Sequence, residues 1–164
     1  MTEMFTTRDL ETSLAKPGEE DSGLTEEQKW FGELSKSKWG IYKRTQSFLA
    51  ELNKEERNDQ FVIESLHSIC LEDLWFYNSL EESEKAFAVL TEVFEELFAT
   101  VKKEKQKELL ITTLLEFMDR LAALDDFPRS VVSRCFEIIR NDMKGHEILY
   151  VRNSGYFKTH LNRI

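Results

Sequence analysis

The sequence predicts an all-α fold: a compact bundle of five to six helices around a central apolar helix at residues 61–80, with a disordered N-terminal tail. Three observations lead there. From residue 25 onward apolar side chains recur every three or four positions, the spacing that gathers them on one face of a helix. Breakers are scarce, with two prolines and six glycines in 164 residues, so elements are long and loops short. No pair of alternating runs flanks a turn signal, as a β-hairpin requires. A short HEAT-like array of helical hairpins is the alternative, but no residue-level repeat supports it.

The chain divides into a flexible acidic tail at residues 1–24 and a single helical domain at residues 25–164. Within the tail Pro17, Gly18, Glu19, Glu20, Asp21, Ser22 and Gly23 form a polar, breaker-rich run that buries too little surface to order itself. Met4, Phe5, Leu10 and Leu14 precede it at a spacing that suits a short amphipathic turn. Such a turn would dock on a partner or back onto the domain.

Thr25 and Gln28 make a capping box that starts the first helix, with Glu26 and Glu27 at the positive end of its dipole. Phe31, Leu34, Ile41, Phe48 and Leu52 then form a stripe. Whether residues 25–53 are one helix or two is open. Gly32, Ser35, Ser37 and Gly40 favour a break near residues 37–40, because a glycine inside a helix costs about 1 kcal/mol relative to alanine. A polar turn at residues 54–59 leads into the central helix. There Val62, Leu66, Ile69, Phe76 and Leu80 share one side, while Ile63, Cys70, Leu74 and Tyr77 take the next. Phe61, Leu71 and Trp75 widen the apolar surface further, as in a helix covered on several sides.

Ser79 or Ser83 is expected to cap the next helix, which runs to about residue 103 on Ala86, Leu90, Val93, Leu97 and Val101. A fourth helix carries Leu110, Leu114, Phe117, Leu121 and Leu124. Asp125, Asp126 and Pro128 mark the loop before a fifth, with Val131, Val132, Cys135, Phe136 and Ile139 inside and Gly145 as its stop. Residues 146–152 suit either a helix or an extended piece. Residues 156–164 suit a short terminal helix.

The net charge of −9 disfavours a nucleic-acid binder, which needs a basic face against phosphate. Glu64, His67 and the other polar residues of the central helix argue against a membrane span, as does the lack of about 18 consecutive apolar residues. Cys70 and Cys135 sit in apolar patterns and read as reduced, buried thiols. That points to a cytoplasmic or other reducing intracellular setting.

Catalytic motifs are missing. There is no nucleophile elbow, no phosphate-binding glycine loop and no cysteine in a reactive setting, so no enzyme activity and no cofactor are expected. The only metal-like spacing is Glu64 with His67, one helical turn apart. A di-iron bundle uses two such pairs and two further carboxylates, and here there is one pair; Cys70 adds a weak zinc option. A bundle holding a metal or a small apolar ligand is therefore the alternative function. The basic residues Lys36, Lys38, Lys43 and Arg44 read as a solvated face.

Aromatic content is the better clue, since Trp and Tyr are favoured at interface centres. Trp30, Trp39 and Tyr42 lie off the main core stripe and are the candidate partner contacts. The expected function is that of a non-catalytic interaction, adaptor or regulatory domain. Its partner would be a protein, basic or presenting an amphipathic helix, held in an aromatic groove or patch. A structural homo-oligomer is a further option.

Overall fold

The computed structural model describes residues 23–142, and all of its regular structure is helical. Expectations for residues 1–22, for the C-terminal stop at Gly145 and for residues 146–164 lie outside the described residues.

Helix α1 is Glu26–Leu34. Its start follows from Thr25, whose hydroxyl accepts the Gln28 N–H at 3.0 Å while the Gln28 side chain accepts the Thr25 N–H at 3.0 Å. Such a cap is worth about 1 kcal/mol. The chain then breaks, and it does so earlier than the glycine at 40 suggests. A 3-10 turn, Ser35–Ser37, follows α1 directly, and Lys38 is extended. Ser35 is buried, and its hydroxyl donates to the Gly32 carbonyl at 3.1 Å. A short polar side chain bonding its own helix in this way competes with further winding. Helix α2, Trp39–Leu52, starts afresh with Gly40 in its first turn. Residues 25–53 are thus two helices.

The central helix is a rod with a defect. It comprises α3 (Asp59–Ser68), a π turn (Ile69–Asp73) and α4 (Leu74–Asn78). Asn58 caps it by accepting the Phe61 N–H at 3.1 Å. Val62, Ile63, Leu66, Ile69, Cys70, Leu74, Phe76 and Tyr77 are buried. Phe61 and Trp75, however, are 41% and 59% exposed, so the expected all-round covering is incomplete. A π turn lets one residue more into the winding and rotates the faces beyond it. Asp73 consequently turns inward and Trp75 outward.

Helix α5 is Ser83–Thr100. Neither serine caps it: Ser79 donates back to the Phe76 carbonyl at 2.6 Å, ending α4, and Ser83 lies within α5. It stops three residues short of the expected end, because Val101 is extended and buried. Helix α6, Glu104–Ala122, follows after this short turn. Helix α7 is Arg129–Asp142, with the Val132 N–H on the Pro128 carbonyl at 3.1 Å, which places the proline just before the helix.

The central rod packs against α2, α5 and α6, while α7 closes over α5 and α6. Phe31 of α1 stacks on Tyr77 at 4.8 Å, and Phe94 of α5 on Phe117 of α6 at 5.5 Å. No helix among the described residues is long and apolar enough to cross a membrane.

Candidate functional site

The residues with metal-ligand spacing are held apart. Glu64 is exposed and accepts from the Gln60 amide at 2.8 Å. His67 reaches α6, with Nδ1 3.1 Å from the Thr113 hydroxyl. That hydroxyl donates to the Leu109 carbonyl at 2.8 Å, so the imidazole N–H is the donor to it. Cys70 is fully buried, and burial raises its thiol well above the usual value. Burial pushes the Cys135 thiol up to about 12 as well. Neither sulfur has the exposed, cationic surroundings that make a thiolate. No group of three His, Cys, Asp or Glu side chains able to hold a metal ion occurs among the described residues.

A different arrangement stands out between α2 and the central rod. Among the described residues the exposed large apolar side chains are Trp39, Phe61 and Trp75. All three line one seam. Trp39 and Trp75 border a groove of about 420 Å³ together with Lys38, Gly40, Arg44 and Glu72. Phe61 borders a second, of about 380 Å³, with Lys43, Arg44, Glu64 and the small residues Ser47, Ser65 and Ser68. Arg44 lines both, so the two grooves meet at its side chain.

The seam is braced from within. Arg44 donates through Nε to Asp73 Oδ2 at 2.9 Å and through Nη2 to Oδ1 at 2.5 Å. Asp73 is 1% exposed, whereas the Arg44 side chain is 45% exposed. The π turn supplies the buried carboxylate, and the pair carries its charge to the surface. The next residue of α2, Thr45, lies with its hydroxyl 2.5 Å from that of Tyr77. Burial pushes the Tyr77 phenol up to about 12, opposed by its hydrogen bonds to Thr45 and Ser35.

Trp39 stacks on Tyr42 at 5.7 Å, so two of the three partner-contact candidates come together. Lys43 lies over the Trp39 ring at 5.9 Å and Lys38 over the Trp75 ring at 5.2 Å. Trp30 is placed otherwise: it packs against the core, with the Lys85 ammonium over its ring at 4.3 Å, and lines neither groove. Trp75, Phe61 and Arg44 are the members that sequence reasoning missed. The available signal was the Glu72–Asp73 pair interrupting an apolar run, since an acid turned inward there needs a cation within reach.

No protein-family model, curated protein or solved structure matches this chain.

Proposed function

We propose that the protein is a non-catalytic helical interaction domain that docks a helical segment of a protein partner along the seam between α2 and the central rod. One observation carries this reading: every exposed large apolar side chain among the described residues lines that seam. Single exposed apolar residues are ordinary, whereas an exposed apolar patch marks an interaction surface, and the Trp39–Trp75 groove with the Phe61 groove beside it supports that reading. Tryptophans are the most effective anchors there. The form of the seam supports a helix as occupant. Its α2 wall runs from Trp39 to Ser47, about 12 Å or two helical turns, and Ser47, Ser65 and Ser68 leave room for close approach.

The net charge of −9 would favour a basic partner, yet the seam itself carries Lys38, Lys43 and Arg44. Apolar anchoring, not the overall charge, is what the seam offers. The buried, protonated thiols Cys70 and Cys135 suit a reducing compartment and support a cytoplasmic setting.

The test is site-specific photocrosslinking from position 43, an exposed lysine of the seam, with Trp39 left in place, and, as a control, from exposed Glu92 on α5. The protein joined at position 43 is then remade pure and titrated. Adducts from position 43 alone are expected, with Trp39→Ala weakening the purified pair at least about tenfold while the fold is kept. Equal adducts from both positions, or affinity indifferent to Trp39→Ala, would contradict the proposal.

A further inference from the structure

We infer that the helix received by the seam carries a carboxylate between two apolar anchors, and that this carboxylate seats on the outer edge of Arg44. The inference rests on the docking reading above and names the chemistry of the partner.

A guanidinium has two edges for an anion and five N–H donors. Asp73 occupies the Nε–Nη2 edge. Nη1 lies near Gly40, one turn earlier on the same helix: a Cβ built there would have this atom 4.0 Å away and no other side chain as close. The missing side chain therefore leaves a notch over the unused edge, inside the groove lined by Trp39 and Trp75. Asp73 also fixes the fork in advance, so little side-chain freedom is lost when a second carboxylate arrives. Lys38 and Lys43, each lying over an indole, add positive charge on either side. Glu64 and Glu72 line the seam too, so net charge alone would not select an acid; the open fork does.

The spacing of anchors follows from α2. Gly40 and Ser47 mark the two grooves and lie about two helical turns, roughly 10 Å, apart. A matching helix presents its apolar anchors about two turns apart, one for the Trp39–Trp75 groove and one for the Phe61 groove. The acid sits on the turn between them, over Arg44.

The experiment is selection from a displayed library of randomised helical peptides with the full chain as bait. Selected peptides are then synthesised and titrated against the wild type, Trp39→Ala and the double variant Arg44→Gln/Asp73→Asn. The double variant keeps a neutral hydrogen-bonded pair, and a thermal melt verifies its fold. The expected winners carry Asp or Glu between two apolar anchors. Exchanging that acid for its amide should weaken binding to the wild type about tenfold or more and to the double variant hardly at all. Peptides that need Trp39 but are indifferent to the acid, or that carry Lys or Arg in its place, would overturn this inference and leave the docking seam standing. Peptides indifferent to Trp39→Ala, or no binders, would overturn both. A chain that is dimeric and becomes monomeric on Trp39→Ala would place a second copy in the seam and overturn the inference.

Discussion

No large apolar side chain of α5, α6 or α7 is exposed. Phe94 lies on Phe117, and Val132, Cys135 and Ile139 fill the face that α7 turns to its neighbours. Along α2 and the central rod the same residue types behave differently. Phe48, Leu66 and Tyr77 are buried, while Trp39, Phe61 and Trp75 stand outside and share a seam with three cations. Stability needs no exposed tryptophan, so the difference separates a half that only packs from a half that also presents a surface. The π turn lies at that division, because it turns Asp73 in and Trp75 out.

The largest expected effect is on the packing side. Phe94→Ala should cost about 3–5 kcal/mol in chemical denaturation, the usual loss for a buried aromatic, because it also strips Phe117 of its stacking partner. Trp39→Ala and Trp75→Ala should each cost no more than about 1 kcal/mol, although they remove larger side chains. Equal losses on the two sides would erase the distinction between the halves.

Arg44→Ala comes next. It leaves the Asp73 carboxylate buried without its cation. A cost of about 1–3 kcal/mol is expected, below that of a fully buried pair because water can replace a half-exposed guanidinium. Adding Asp73→Asn should recover part of it, as a double-mutant cycle would show.

Alkaline titration sharpens the contrast between the surface pair and the Thr45–Tyr77 pair beneath it. The folded phenol titrates at about 12, above its usual value of 10, so the fold retains the neutral form. Its contribution is whole below pH 10 and lost as pH rises toward 12. The Cys135 thiol acts in the same direction from about pH 9. Denaturation midpoints should therefore fall from pH 8 to pH 11, and Tyr77→Phe should remove the part of the fall that belongs to the phenol.

The smallest effects concern two glycines. Gly40→Ala should stabilise α2 by roughly 0.5 kcal/mol, since nothing obstructs the added methyl. Gly32→Ala should gain less, because its Cβ would come within 2.8 Å of the Gln46 amide, which must swing aside, and 3.3 Å of Leu49. A melting temperature that rises more for Gly40→Ala than for Gly32→Ala is the expected order, and the reverse order would contradict an open space at Gly40.

Much of the architecture was legible. The 3–4 stripes of α5, α6 and α7 located those helices, and Thr25 with Gln28 located the start of α1, because capping and burial are local or periodic properties. The break after α1 was legible near residues 37–40 and begins two residues earlier, at Ser35, whose hydroxyl bonds back to Gly32. Gly40 falls inside the first turn of α2 instead. The π turn left no trace in the periodicity, which is why Trp75 read as a core residue. Trp39 leaves the stripe and stands outside, while Tyr42 stacks on it without lining either groove. Trp30 leaves it too, but α5 comes close enough for Lys85 to cover its ring. Arg44 was hidden among neighbouring lysines, and only its distance to Asp73 singles it out.

The most direct measurement is the denaturation midpoint and binding affinity of the double variant Trp39→Ala/Trp75→Ala, taken on one preparation with the partner crosslinked from position 43. The expected result is a folded chain within about 2 kcal/mol of the wild type that no longer binds. A chain that loses most of its stability, or one that still binds as tightly as the wild type, would show that the seam belongs to the core or to nothing at all.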